Sequence, residues 1–402
     1  VLSVIETVGS YFPSAIAITD LATGEGLACH EIQMAAGVEV SRPLVFSSAL
    51  GRYWLVSQTR PYGGGGDPNA EFTFNIQSQS FDDEKFSQSR PIGSSSWGMG
   101  IALSGDGQLL GSFDRQHLLS FDTLTGELLW VKTPGQLADA PGQWAMGGVL
   151  TIGPGEVGVI LGRMEVQGGV EKQVETALFR LDGCGQAERI YEANPIGLTM
   201  RINNRLVVGA RLEDGAWGVK VLDENQNVLH AEPRCSNYVE VAPQRIACVR
   251  AEAEGKFRVI SFNLDGSDRR FFLLPQNPEF EYLAYNTFWG TAGANNTLIV
   301  GSAENIDHSL PYTNSFHILS LDTEAISGSL ELIGGVGPDG EHRHPSGAPP
   351  LLSSTGILII PSNGGALHAY QTNVPGLART NFPRGPLGGN ENRGYVALPE
   401  EF

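Results

Sequence analysis

The residues able to do chemistry are few and widely spaced. The densest set is Asp339-Gly340-Glu341-His342-Arg343-His344. In an extended segment His342 and His344 share one face and Glu341 adds an oxygen ligand, so Glu341, His342 and His344 form the candidate divalent-metal set. A solvated loop between sheets accounts for the same residues more simply. Two further segments are rich in oxygen: Asn263, Asp265, Ser267 and Asp268, and Asp223, Glu224, Asn225 and Asn227. A Ca²⁺ loop needs six or more oxygens, usually closed by a bidentate carboxylate. Neither segment supplies that locally, so both read first as turns capped by their own side chains. The run Gly63-Gly64-Gly65-Gly66 would cradle a phosphate only at the start of a helix, and Phe72-Thr73-Phe74-Asn75-Ile76 follows with the alternation of a strand. Trp97 and Trp144 precede predicted inner strands and are the candidates for stacking on a ligand. Trp54, Trp130, Trp217 and Trp289 read as core. G-x-S-x-G, H-E-x-x-H and G-x-x-x-x-G-K-[ST] do not occur. No catalytic set is assigned.

What must position such residues is a repeated sheet. The clearest unit runs from Gly100 to Thr133. Strands are expected at Gly100–Leu103, Gln108–Phe113, His117–Phe121 and Glu127–Lys132, joined by Ser104-Gly105-Asp106-Gly107, Asp114-Arg115-Gln116 and Asp122-Thr123-Leu124-Thr125-Gly126. Four short strands joined by polar turns make an antiparallel meander. The third turn marks the repeat, because an apolar strand runs into an aspartate whose carboxylate can accept N–H groups further along the turn. Asp20, Asp82, Asp122, Asp182, Asp223, Asp265 and Asp322 stand at such places, with Gln371 as a variant. Their spacing of roughly 40–60 residues, with four strands per unit, is a β-propeller period. One such sheet cannot bury both faces, so the units must stack. The expectation is an all-β chain: a single propeller of about eight four-stranded antiparallel blades over residues 1–372, or seven if the first and last units merge. An extended strap or ring-closing tail follows over residues 373–402. Insertions are expected as loops at Gly63–Gly66, Val166–Lys172 and Glu304–Asn314.

Composition bounds the partners. The chain has 402 residues, 41% hydrophobic and 17% charged, with a net charge of −18. A surface so acidic repels phosphate backbones, which argues against nucleic acid. No apolar run reaches the roughly 18–20 residues of a membrane span. The four cysteines, Cys29, Cys184, Cys235 and Cys248, lack a C-x-x-C pair. They suit disulfides in an oxidising compartment. Cys235 and Cys248 flank a predicted hairpin and are the favoured pair, with buried free thiols the alternative. The opening at Val1 is as expected of a chain whose signal peptide has been removed, or of a trimmed one.

The segment Phe121-Asp122-Thr123-Leu124-Thr125-Gly126-Glu127-Leu128-Leu129-Trp130 resembles the PQQ-like repeat, A-x-D-x-x-T-G-x-x-x-W. Asp20 with Gly24 matches in part. Leu367–Thr372 is similar to the final strand of such propellers, and Phe382 onward to the tail segment after PQQ-like domains of bacterial envelope proteins. The resemblance implies either a quinoprotein dehydrogenase or a non-catalytic envelope propeller. The adjacent cysteines and haem C-x-x-C-H segment typical of the first are missing, so the second is expected. That reading gives a secreted, cell-surface or periplasmic bacterial protein that binds or scaffolds protein or glycan partners, with self-association as a further mode. No cofactor is expected, Ca²⁺ being the one ion weighed. The rivals are a quinone-dependent dehydrogenase, a polysaccharide-acting enzyme and a structural subunit of a surface assembly.

Overall fold

The computed structural model describes residues 2–6, 13–19, 26–31, 38–39, 44–47, 52–59, 72–80, 85–92, 100–112, 116–193, 196–235, 238–252, 256–275, 282–305, 313–333, 350–353, 355–361 and 367–380. Among them the strands form eight antiparallel sheets. Sheet 1 holds Leu2–Glu6, Pro13–Thr19 and Gly26–Glu31. Sheet 2 holds five strands, Val38–Glu39, Leu44–Ser47, Arg52–Thr59, Phe72–Ser80 and Lys85–Ile92. Sheet 3 is Ile101–Leu103, Gln108–Gly111, Leu118–Asp122 and Leu128–Lys132. Sheet 4 is Gln143–Gly153, Glu156–Gln167, Val170–Leu181 and Ala187–Glu192. Sheet 5 is Ile196–Ile202, Arg205–Arg211, Trp217–Leu222 and Val228–Pro233. Sheet 6 is Tyr238–Ala242, Arg245–Ala251, Phe257–Asn263 and Arg270–Leu273. Sheet 7 is Tyr282–Gly293, Thr297–Asn305, Thr313–Ser320 and Ala325–Ile333. Sheet 8 is Leu351–Leu352, Ile357–Pro361 and Leu367–Gln371. Strands pair in chain order in sheets 3 to 8, so each is a meander.

The chain divides into two compact units, one built on Val1–Met200 and the other on Arg201–Pro386. Each buries the faces of its own sheets. In the first, Ala102, Leu110 and Leu118 of sheet 3 share a core with Val149, Val159 and Phe179 of sheet 4. In the second, Val239 and Val259 of sheet 6 pack with Leu298 and Leu319 of sheet 7. Ile299 and Phe316 of sheet 7 pack with Leu352 and Leu358 of sheet 8. Such contacts supply the apolar burial that a single meander cannot provide for itself.

Four of the marker aspartates do what their position requires; Asp20 and Asp82 lie outside the described residues, and Asp322 instead accepts from Asn296 and Arg270. Asp122 Oδ1 accepts the N–H groups of Leu124 and Thr125 at 2.9 and 2.7 Å, and Gly126 takes φ 72° to reverse the chain. Asp182 accepts from Cys184 and Gln186, Asp223 from Asn225 and Asn227, and Asp265 from Ser267. These donors hold the carboxyls of Asp122, Asp223 and Asp265 below their ordinary values. Three turns, those of Asp182, Asp265 and Asp322, also rest on the fourth strand of the sheet before them. The Trp130 ring of sheet 3 lies so close to Gly185 that a Cβ there would fall 2.8 Å from it. Lys132 donates to the carbonyl of Gly185 at 2.5 Å. In the second unit His230 of sheet 5 meets Gly266, and Arg270 of sheet 6 donates to the Leu321 carbonyl at 3.1 Å and to Asp322 at 3.0 Å.

Two features differ from the sequence expectation. Val166–Lys172 is not an inserted loop: the second and third strands of sheet 4 simply run on to a two-residue turn at Gly168 and Gly169, with φ 63° and 83°. A short helix, Pro134–Ala138, also forms between sheets 3 and 4, capped by Thr133 and Gln136 and begun by its proline. Its five residues are too few to leave a helical period in the sequence. Of the C-terminal segment, residues 372–380 are described. Thr372 donates to the Gly356 carbonyl of sheet 8, Ala378 to that of Ala292 in sheet 7, and Thr380 Oγ1 to that of Glu240 in sheet 6. Val374 and Ala378 are buried along the way.

Cys235, after the last strand of sheet 5, is bonded to Cys248 of sheet 6 with a Cα–Cα distance of 5.7 Å. Both are fully buried, and Cys184 is exposed in its turn. Replacing Cys235 and Cys248 together by serine is expected to cost about 2–4 kcal/mol, read from denaturant unfolding under non-reducing conditions. Trp130→Ala is expected to cost about 3 kcal/mol by the same measurement, with Trp130→Phe less harmful.

Candidate interaction surface

The described side chains that combine exposure with fixed geometry lie on the fourth strand of sheet 6. Ladder alternation sends Arg269, Phe271 and Leu273 to one face and Arg270 and Phe272 to the other. Phe271 is 37% and Leu273 53% exposed, although both are large and apolar. Phe271 is clamped from two sides. The guanidinium of Arg269 lies 4.5 Å from its ring centroid and that of Arg258 lies 5.5 Å away.

Two acids hold those arginines, one of them buried. Glu232, on the last strand of sheet 5, is only 1% exposed. It accepts from Arg269 Nη2 at 2.5 Å and from Arg250 Nη1 at 3.3 Å. Burial pushes its carboxyl up, but His230, the hydrogen bond from Arg269 and the charge of Arg269 outweigh this and hold it below the usual carboxylate range. His230 Nε2 stands 3.5 Å away, an ion-pair approach without hydrogen-bond geometry, so the arginines are the firm partners. His230 is itself fixed edge-on to Phe262, at 4.7 Å between ring centres. Glu252 pairs with Arg250 at 3.3 Å and approaches Arg258 at 3.8 Å. The turn before the strand is pinned by Arg245, which donates to Ser261, Asn263, the Asp268 carboxylate and the Asp268 carbonyl. Asp268 in turn receives Arg270. On the far face a shallow depression is lined by Val259, Ser261, Arg270, Phe272, Leu321 and Glu324, with Phe271 at its edge. The arrangement presents a rigid aromatic anchor bracketed by guanidinium groups.

Other fourth strands show related exposure: Leu129 and Val131 in sheet 3, and Val228 and Leu229 in sheet 5. Sheet 4 differs, with Glu188 and Arg189 at its edge. There Arg189 and Arg163 both pair with Glu175.

The residues singled out in the sequence fare unevenly. Glu341, His342, His344 and Trp97 lie outside the described residues, as does the four-glycine loop. Trp144 is on the first strand of sheet 4, 8% exposed, packed edge-on against Phe179 at 6.3 Å. Asp265 and Asp268 spend their oxygens on Ser267 and on Arg245 and Arg270, and Asp223 on Asn225 and Asn227. Among the described residues no three His, Cys, Asp or Glu side chains converge on a metal position. No described helix is long and apolar enough to cross a membrane. Sequence reasoning missed Arg258, Arg269, Phe271 and Leu273. The available signal was the run Phe271-Phe272-Leu273-Leu274 in a strand too short to be a sheet centre.

Among solved structures the chain is similar to the C-terminal WD40 domain of Sif2, with TM-score 0.52 and 8% identity over 89% of each chain. It is a β-propeller. The propeller is also similar to BamB from Moraxella catarrhalis, with TM-score 0.48 and 12% identity over 93% of this chain and 98% of that one. It matches oligogalacturonate lyase from Vibrio parahaemolyticus with TM-score 0.47 and 10% identity over 88% and 94%. At those scores neither of the last two likenesses bears on what the propeller does. No family model matches, and no curated protein matches in sequence.

His317, buried in sheet 7 beside Ser329 at 2.9 Å, adds a pH dependence to this scaffold. Burial pushes its imidazole below the ordinary value of 6.5. The folded state therefore binds a proton less readily than the unfolded chain. The contribution is fully present above pH 6.5 and is lost as pH falls through the folded value. Wild type is expected to lose up to about 1.4 kcal/mol per pH unit across that window. Denaturant titrations at several pH values should show that slope flattened in His317→Gln.

Proposed function

We propose that this propeller is a non-enzymatic binding or scaffolding module of the PQQ-like kind, working outside the cytoplasm and taking a protein or glycan partner at the rim of its sheets. The observation that carries this reading is the clamped Phe271 with Leu273 beside it. An exposed aromatic held by arginines over a buried acid suits recognition, where preorganised aromatic and arginine side chains supply most of the binding energy. Apolar outward faces on the fourth strands of sheets 3 and 5 support a rim role as well. The Cys235–Cys248 bond supports an oxidising setting, envelope or extracellular.

The test pairs a binding screen with a chemical one. Purified protein is presented to panels of peptides, folded proteins and glycans, alongside Phe271→Lys. At least one class is expected to bind wild type, with roughly tenfold weaker binding to the variant. The same protein, incubated with pyrroloquinoline quinone and Ca²⁺, is expected to show no alcohol-dependent dye reduction. Turnover in that assay, or no binding in any panel, overturns the reading.

A further inference from the structure

We infer that the outer edge of sheet 6, Arg270–Leu273, which no further strand pairs among the described residues, receives an extended segment of a partner polypeptide that adds as a fifth strand. The segment carries apolar side chains two residues apart with carboxylates beside them. This rests on the binding-module reading above and names the partner's chemistry.

The backbone makes the case first. Leu274 donates its N–H to the Phe257 carbonyl, inward across the ladder. In an antiparallel pair successive residues alternate between facing the neighbour and facing away. Phe272 therefore faces inward with Leu274, while Phe271 and Leu273 direct their N–H and C=O groups outward. The edge offers two donors and two acceptors at the spacing of an incoming strand, the main-chain basis of strand addition. Natural edges are usually blunted by charge or proline. Here the two outward-facing positions are occupied by Phe271 and Leu273, both exposed.

The side chains then select the occupant. Arg269 shares a face with Phe271 and Leu273, and Arg258 pairs directly across from Leu273. Partner residues opposite Phe271 and Leu273 meet apolar surface, and residues beyond them meet guanidinium groups. The acids that position these arginines are set behind them: Glu232 is buried and Glu252 lies on Arg250. The half-exposed acids at the strand, Asp268 and Asp322, are paired with Arg270, so what lies on Phe271 is the guanidinium groups of Arg258 and Arg269, which favours an acidic rather than a basic segment.

The experiment uses the full chain and a displayed library of linear decapeptides, panned on wild type. Leu273→Pro is the deciding variant. It removes an outward N–H without removing any bond of the existing ladder. Enriched peptides are expected to alternate apolar residues and to contain Asp or Glu. They should bind Leu273→Pro roughly tenfold more weakly than wild type. Arg258→Glu should shift the selected charge from acidic to basic, an outcome that mere loss of structure would not give. Phe271→Lys serves as the second edge variant if Leu273→Pro fails to show the wild-type circular dichroism. Enriched peptides that bind both edge variants as well as wild type overturn the inference while leaving the binding-module reading in place. Failure to enrich any peptide overturns it too, and glycan or folded-protein binding then decides the broader reading. A wild-type dimer in light scattering that Leu273→Pro makes monomeric also overturns it, because a second copy would then be the occupant.

Discussion

The constraint on which the described fold depends is that a turn must sit down on the sheet before it. An isolated four-stranded meander has two faces to cover and no means of covering either. The marker aspartate solves the local part of the problem by binding the N–H groups of its own turn, so the turn arrives rigid. The residue on the preceding fourth strand solves the rest. In sheet 3 it is Trp130, whose ring covers Gly185. In sheet 5 it is His230, against Gly266. In sheet 6 it is Arg270, which replaces ring contact with hydrogen bonds to Leu321 and Asp322. One geometric role is thus filled by three different chemistries, hydrophobic, aromatic and ionic.

That variety explains what the sequence could and could not disclose. The fold was readable because the Asp turn and the alternation of short strands are local. In sheet 3 the strands fall within about two residues of where alternation and turn chemistry put them. The seams were harder to read. Trp130 announces itself, because it completes a recognisable repeat. His230 and Arg270 do the same work but resemble ordinary strand residues, and their equivalence lies in three-dimensional position alone. The interaction surface was the least legible part. Its arginines come from two separate segments, and the placement of Arg269 depends on Glu232, a buried acid contributed by the neighbouring sheet. No local pattern contains all three elements.

The same network shows how a scaffold problem and a recognition problem share one solution. Burying Glu232 is costly unless cations meet it. The cations available are Arg250 and Arg269, and the stem of Arg269 carries its guanidinium out across Phe271. A charge needed to satisfy the seam therefore also stiffens an aromatic at the surface. Stability between sheets 5 and 6 and the shape of the outer edge are set by one group of atoms, so neither can be altered alone.

The lacing of residues 372–380 across sheets 8, 7 and 6 bears on how the molecule comes into being. Val374 and Ala378 fill gaps between sheets whose own residues precede them in the chain, those of sheet 6 by more than a hundred positions. While the chain emerges from the ribosome, or threads through a translocation channel N-terminus first, those gaps stand empty. The second unit can then reach its finished packing only once residues 374–378 have been delivered. A chain cut short before Val374 would expose open seams to whatever proteases and chaperones surround it.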